Sequence, residues 1–453
     1  MKIIIVGCGK VGTTLAAKLN KEGNDVIVID KDPAKVKEVA NKYDLMGIIG
    51  NGATREVQKE AGVDSADLMV AVTGSDELNL LCCVMAKRKS RLQTIARVKQ
   101  PEYSVDSQHL KDELDLSMVI NPDYMAAQEI ARLLKFPAAL SIETFAKGRV
   151  ELLKLRLPEN CDLVGRSLKE AMLKLKCEVL ICTVERGDEV FIPNGDFVFA
   201  ERDVISIISS QKNAQAFFAK LNHRLDSAKT VTVVGGGVIT HYLCEILERS
   251  GIALKVIDKD PMICDELSMR FDNVTVVTAN PADEDILIEE GATKTDAFIA
   301  LTDLDEENIL LSLFAKNSGS RKVVTKINRI DYDTVISRLE LDSIVYPKNI
   351  ASDLCIRHVR SQNKTRGSSM ESFYNVIKDQ VEATEFIVES GSPLIGKPLL
   401  AFKFKENVLI AAILRGKTVI VPRGSSVIEN GDSVVVVAKG LSVRSLSETL
   451  LKK

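Results

Sequence analysis

Apolar and polar positions along this chain follow two textures, and the sequence passes through the pair twice. Residues 2–6 (KIIIV) form an unbroken apolar run, the pattern of a short strand buried on both faces. A glycine turn follows, then an amphipathic stretch over Val11–Lys21 with Val11, Leu15 and Leu19 on one side, which predicts a helix. Asp25–Asp30 (DVIVID) predicts a second strand, and Pro33 stands where a helix can begin. Strand Met46–Ile49, helix Arg55–Ala61, strand Leu68–Val72, helix Asp76–Lys87 and strand Thr94–Val98 complete the run. Strict strand–helix alternation predicts an α/β fold with right-handed crossovers and a doubly wound parallel sheet.

From about Leu152 the texture changes to short β-branched runs broken by Gly and Asp turns, as in residues 179–209. This predicts a small antiparallel, β-rich α+β domain carrying one or two helices. Both textures then recur. Gly7 and Gly235 are 235 − 7 = 228 positions apart, and so are Asp30 and Asp258 (258 − 30 = 228). DLMVAVTGSDELNLLCCVMAK from Asp67 matches DAFIALTDLDEENILLSLFAK from Asp296, an offset of 229. The two small domains share a Gly before a helix (Gly165, Gly396), a hairpin Gly (Gly187, Gly416), a proline step (Pro193, Pro422) and an acidic turn (Asp203, Asp432). The expected order is a Rossmann-like domain at 1–135, a small domain at 136–222, a second Rossmann-like domain at 229–358 and a second small domain at 370–453. Ser361–Ser369 (SQNKTRGSS) reads as a linker.

Composition narrows the function classes. Net charge is −3, so no basic field supports nucleic-acid binding. Nine scattered cysteines without a C-x-x-C pair read as reduced thiols, and four histidines away from any cysteine pair argue against a zinc site. No secretory leader pattern opens the chain, and no apolar run approaches the roughly 18 residues of a membrane span.

Candidate chemistry lies in the first glycine loop, GCGKVG. Gly7 permits the tight strand-to-helix turn, Gly9 lets a diphosphate approach the backbone, and Gly12 allows close packing of helix on strand. Cys8, Lys10 and Val11 complete the loop, where a helix N-terminus presents N–H groups to phosphate oxygens. Asp30, followed by Lys31, ends the second strand, placed to accept from both ribose hydroxyls and to repel a 2′-phosphate. That favours NAD(H), ATP or ADP over NADP. Asn51, Gly52 and Ala53 bring backbone near the adenosine end, or form an ordinary turn. Thr73, Gly74, Ser75 and Asn79 lie at the carboxyl edge of the sheet, with Asp76 either near the ligand or capping the next helix. Arg97 and Lys99 are cations for a terminal phosphate or solvated surface charges.

The second loop is eroded. Gly235, Gly237 and Val238 remain in place with Asp258, but Thr240 replaces the third glycine and Pro281 enters the later turn. Thr240 is expected to crowd helix against strand. Thr302 and Lys326 match Thr73 and Arg97, while Asn328 replaces Lys99. A weaker second nucleotide site and a purely structural copy both fit these residues.

Tandem GxGxxG…Asp domains, each followed by a small β-rich domain, resemble the TrkA-type, tandem RCK/KTN family of potassium-transport regulators. The motifs carrying the resemblance are GCGKVG at Gly7–Gly12, VIDKDP at Val28–Pro33, GNGAT at Gly50–Thr54 and IARVKQPEY at Ile95–Tyr103, with VIDKDP at Val256–Pro261 and VTKINRIDY at Val324–Tyr332. The family usually carries an acidic residue where this chain has Asn51. The resemblance implies no catalysis, but a cytoplasmic regulatory subunit peripherally attached to the cytoplasmic face of the membrane. It would assemble as a homo-oligomer, a tetrameric gating ring, beneath a membrane-spanning potassium transporter subunit of the TrkH/TrkG kind, with NAD(H) and/or ATP/ADP as cofactor. Two alternatives stand beside it: an NAD-dependent oxidoreductase and a nucleotide-dependent scaffold for another membrane protein. The oxidoreductase reading needs a positioned acid or base, and the histidines and Tyr374-x-x-x-Lys378 are poor candidates by position.

Overall fold

The computed structural model describes residues 1–87, 92–104, 107–158, 161–221, 227–328, 333–339, 341–362, 368–377 and 380–451. His223, Lys378 and the central part of the expected linker lie outside these residues.

The first lobe runs β1 (Lys2–Val6), α1 (Lys10–Lys21), β2 (Asp25–Asp30), α2 (Pro33–Tyr43), β3 (Met46–Ile49), α3 (Arg55–Glu60), β4 (Leu68–Ala71), α4 (Asp76–Lys87), β5 (Gln93–Arg97), α5 (Pro101–Ser104), α6 (Ser107–Glu113), β6 (Met118–Ile120) and α7 (Pro122–Lys135). Its strands pair in parallel in the order β3-β2-β1-β4-β5-β6, the doubly wound arrangement whose order reverses beside β1. The apolar run of β1 explains its central place. Ile4 pairs with Ile27 on one side and Met69 on the other, and Ile3, Ile4 and Ile5 are fully buried. Asp32 caps α2 by accepting from the Ala34 N–H, with Pro33 pre-set in the first helical position.

The first small lobe contains β7 (Ala139–Phe145), β8 (Val150–Arg156), α8 (Leu168–Leu175), β9 (Leu180–Arg186), β10 (Glu189–Phe191), β11 (Val204–Ser209) and α9 (Gln211–Lys220), with sheet order β10-β9-β11-β8-β7. The second nucleotide-type lobe repeats the first: β12 (Thr230–Val234), α10 (Val238–Leu247), β13 (Ala253–Asp258), α11 (Pro261–Arg270), β14 (Val274–Thr278), α12 (Glu284–Glu289), β15 (Ala297–Ala300), α13 (Asp305–Asn317), β16 (Lys322–Lys326), α14 (Asp333–Ile336), β17 (Ser343–Val345) and α15 (Pro347–Gln362). Its order β14-β13-β12-β15-β16-β17 is the same. The second small lobe has β18 (Ser368–Ile377), β19 (Val381–Val388), β20 (Val408–Arg415), β21 (Thr418–Ile420) and β22 (Ser433–Lys439), ordered β18-β19-β22-β20-β21. Both small sheets are antiparallel, and at each expected acidic turn a buried aspartate takes a forked ion pair from a partly exposed arginine, Arg186–Asp203 and Arg415–Asp432.

One expected helix is absent from its place. Gly165 precedes α8, whose N-terminus is a reciprocal capping box between Ser167 and Glu170. After Gly396 the matching position is Pro398, which has no side-chain acceptor, and Leu399–Ala401 forms only a short 3-10 turn.

The lobes group by kind. Met1–Ala131 and Ala228–Ile356 form one compact unit; Arg132–Ser227 and Arg357–Lys453 form another. Within the second unit the two small lobes share one core, in which Phe145, Val150 and Ile208 pack with Val381, Ala411 and Val435. Buried Glu385 accepts hydrogen bonds from the Ala146 N–H and from the Ser372 and Ser433 hydroxyls there.

Candidate nucleotide site

The carboxyl edge of the first sheet opens into a cleft of about 820 Å³. Strand order sets the sequence of groups along it. Asp30 ends β2, the glycine loop follows β1, Thr73–Ser75 follow β4, and Arg97 and Lys99 end and follow β5. Three strand steps separate the Asp30 end from the cationic end, about 14 Å at the usual strand spacing.

At the first end both Asp30 oxygens accept a backbone N–H, Oδ2 from Cys8 at 2.6 Å and Oδ1 from Asp32 at 3.0 Å. Each oxygen keeps a lone pair for an outside donor, as ribose hydroxyls are. In the middle, Gly7 has φ +109°, the left-handed region that favours glycine, and a Cβ there would sit 3.0 Å from the Val72–Thr73 backbone. Gly12 is more constrained still: a Cβ would lie 1.8 Å from the Gly7 carbonyl oxygen. The first-turn amides of α1 have no carbonyl of their own helix to pair with and form an anion-attracting mouth at Lys10 and Val11.

At the far end Arg97 donates to the Thr73 carbonyl, and burial lowers its pKa while Asp123 and Asp76 oppose that shift. Burial raises the Asp123 carboxyl, against the pull of Lys99, Arg97 and Lys326. Arg97 is therefore not a solvated surface charge. Asp76 does not cap α4 either: its Oδ2 accepts from the Lys99 and Gln100 N–H groups at 2.7 and 2.8 Å, and Ser75 Oγ accepts from the Leu78 N–H.

Of the residues expected at the site, Gly7, Gly9, Lys10, Val11, Asp30, Lys31, Asn51, Gly52, Thr73, Gly74, Ser75, Arg97 and Lys99 line the cleft. Cys8, Gly12, Ala53 and Asn79 do not, and each has a framework role instead. Cys8 lends its N–H to Asp30, and burial pushes its thiol up to about 12, so it is no thiolate. The Ala53 N–H is held by the Asn51 side chain. Asn79 is fully buried; its Oδ1 accepts from the Thr73 N–H and hydroxyl at 2.7 Å, and its Nδ2 donates to the Arg97 carbonyl at 2.9 Å. It ties the ends of β4 and β5 together.

Lys35 and Asp123 line the cleft, as do Asn328, Pro347 and Lys348 of the second lobe, and none of these five was expected. A signal for most of them was present: Pro122-Asp123 and Pro347-Lys348 are matching dipeptides that open a helix just after an edge strand.

The second lobe keeps the framework and changes what faces a ligand. Asp258 accepts from the Gly236 and Asp260 N–H groups at 2.5 and 2.9 Å, and Asn308 reproduces the Asn79 bonds with Thr302 and Lys326. Thr240 does not simply crowd the strand. It is buried with its hydroxyl donating to the Gly235 carbonyl, so α10 stands farther off its loop than α1 does. A Cβ on Gly236 would lie 2.5 Å from the Ile263 side chain, which stands beside Asp258 where the first lobe has Lys35. Pro281 is buried at the place of Gly52, and Lys326 donates to the Leu301 carbonyl at 2.9 Å.

A doubly wound sheet, a glycine turn into a helix and a carboxylate at the next strand end define a lobe of the Rossmann class, here duplicated. The TrkA-N domain family matches residues 3–122 and 231–347, and the TrkA-C domain family matches 152–222 and 383–451. The chain belongs to the TrkA family. It is 31% identical over 448 residues to a Trk system potassium uptake protein TrkA homolog of Methanosarcina mazei, covering 96% of this chain and 97% of the relative. It is 32% identical to a TrkA homolog of Archaeoglobus fulgidus, covering 99% of both. A solved structure described as the GsuK channel bound to NAD shares the fold, with a TM-score of 0.63 and 16% identity over 96% of this chain and 76% of that one.

Proposed function

We propose that the first lobe binds an adenine nucleotide, NAD(H) or ATP/ADP, and that the chain uses this to regulate a membrane potassium transporter. Membership of the TrkA family makes it a protein of the potassium-transport machinery. The single observation that carries the nucleotide reading is one continuous cleft holding a ribose acceptor, a phosphate loop and a paired-cation end in that order. A span of about 14 Å suits a triphosphate or a dinucleotide better than a monophosphate. The contact set is the thirteen cleft-lining residues named above, and the domain limits 1–135, 136–222, 229–358 and 370–453 are those given by the repeat.

The regulatory reading is favoured over the oxidoreductase. The titratable side chains in the cleft wall are Lys, Arg and Asp, with no His or Tyr among them. His241 is buried on α10, and Tyr374 is partly buried in the core of the other compact unit. Among the described residues no helix is long and apolar enough to cross a membrane. Transport is therefore assigned to a membrane-spanning partner, which a homo-oligomeric, tetrameric ring of this chain would gate from the cytoplasmic face. The ligand can bias that gate only by binding the ring's two states unequally. In the second lobe the Ile263 and Pro281 substitutions favour a structural copy.

The test is a thermal-shift panel of ATP, ADP, NAD+ and NADH on the wild type and on Asp30→Asn. A true ligand at about 100 times its Kd adds about 2.7 kcal/mol of stability. Asp30→Asn should need roughly 10- to 100-fold more ligand for the same shift, the cost of losing a charged hydrogen-bond acceptor. A wild type that no nucleotide moves, or a variant that responds like the wild type, would sink the reading.

A further inference from the structure

The two nucleotide-type lobes meet at the cationic end of the cleft, through a side chain the glycine motif does not explain. Tyr242 lies on α10, the helix that opens at the eroded second loop, and it is 2% exposed. Its hydroxyl donates to the main-chain carbonyl of Lys99 in the first lobe at 2.7 Å and accepts from Asn121 Nδ2 at 2.9 Å. Its ring packs edge-on against Tyr124, with centroids 5.3 Å apart. The Lys99 N–H is meanwhile held by Asp76. Asp76 also holds the Gln100 N–H at 2.8 Å, so the Lys99–Gln100 peptide unit is fixed on one side by its own lobe and on the other by the second lobe.

The matching helix of the first lobe, α1, also reaches the second lobe, but by a different group: the Lys18 ammonium pairs with Asp353 at 2.7 Å. The position matching Tyr242 is Thr14, whose hydroxyl donates to Lys10 within its own helix at 2.8 Å. The asymmetry runs with the erosion of the second loop: the copy that lost its third glycine supplies the bridging ring. Tyr242 lies one turn beyond the eroded loop on the same helix, so the helix that lost the third glycine carries the ring to the first lobe.

We propose that Tyr242 is a positioning residue for the first nucleotide site, setting Lys99 so that the second lobe reads the phosphate end of a ligand bound in the first. The proposal rests on the nucleotide reading above and deepens it. The ligand class is an adenine nucleotide whose phosphates extend past the glycine loop; a monophosphate stops short of Lys99. Occupancy pulls on Lys99, Lys99 is tied to Tyr242, and Tyr242 belongs to α10, so the second lobe is the part that moves or stiffens. Reciprocity requires that loosening Tyr242 weaken the ligand by the same coupling.

The experiment measures ATP and AMP affinities by calorimetry on the full chain, for wild type, Tyr242→Phe, Lys99→Ala and the double variant. Tyr242→Phe keeps the ring against Tyr124 and deletes only the hydroxyl. Weakening of ATP by about 3- to 10-fold is expected, one hydrogen bond's share, with AMP unchanged. On the Lys99→Ala background the same change should add nothing. Equal weakening of ATP and AMP, or a loss that adds in full to that of Lys99→Ala, would mean that Tyr242 only holds the lobes together, and the proposal falls. So it does if Tyr242→Phe binds ATP like the wild type while Asp30→Asn does not, in which case the nucleotide reading survives alone. If neither ATP nor AMP binds the wild type, the proposal falls with its ligand, and the nucleotide reading stands or falls on NAD+ and NADH in the thermal-shift panel.

Discussion

The first and second copies of the repeated unit share strand order and even the buried amide that ties two strand ends together, yet they treat the third glycine position in opposite ways. At position 12 the first copy has no room for a methyl group. At the matching position the second copy buries a threonine and bonds its hydroxyl to the loop. The framework residues Asn79 and Asn308 keep nearly the same distances, while the residues facing a ligand diverge. Fold and site are therefore separable layers in this chain. Strand ends need buried hydrogen bonds satisfied wherever they occur; phosphate binding needs bare backbone only where a phosphate comes.

The largest test of that comparison is a reciprocal exchange at this position. Gly12→Ala should cost about 3 kcal/mol or more, because the new methyl meets a backbone carbonyl that cannot rotate away. Thr240→Gly should cost only about 1–2 kcal/mol, for one hydrogen bond and added helix flexibility. Urea denaturation of both variants decides it. Equal costs would mean that the two helices stand at the same distance from their loops.

The small lobes offer a second contrast. Ser167→Ala removes the capping box of α8 and should cost about 1 kcal/mol in the same assay. A loss near zero would break the explanation for why the other copy, with Pro398 in that place, forms only a 3-10 turn.

A smaller effect concerns matched carboxylates beside the helices that enter the small lobes. On β19, Glu382 takes a forked ion pair from Arg360, each contact 3.2 Å. On β8, buried Glu151 has an oxygen without a hydrogen-bond partner among the described residues, and burial lifts its carboxyl from 4.5 to about 6 against the pull of Lys135 and Arg132. A carboxyl raised in the folded state costs stability above its folded pKa, and the cost fades as pH falls through about 6 toward 4.5. Glu151→Gln should therefore stabilise the protein by about 1 kcal/mol at pH 8 and by nearly nothing at pH 4.5. Equal stabilisation at both values would remove burial of the charge as the cause.

Much of this was legible along the chain. Continuous apolar runs such as KIIIV, and strands ending in VIDKDP, marked the parallel sheets, because a strand covered on both faces has no polar side to show. The repeat itself forecast that both sheets would be alike. What failed was local. Asp76 looked like a helix cap, since an acidic residue at a helix start is usually one, but two distant N–H groups compete for it. Asn79 looked like a ligand contact because it follows the ligand edge in sequence, whereas its side chain turns inward. The helix expected after Gly396 depended on a cap that Pro398 cannot supply.

Sequence alone determined the two Rossmann-type sheets, the duplication and the intact glycine loop with Asp30, because local periodicity, turn chemistry and spacing act over short stretches of chain. Tertiary structure decided that like lobes group with like, that Asn328, Pro347 and Lys348 wall a cleft belonging to the other copy, and that Tyr242 grips Lys99. Contacts between residues 143 positions apart leave no periodic trace. They arise only when two buried faces meet and every polar group caught between them must find a partner.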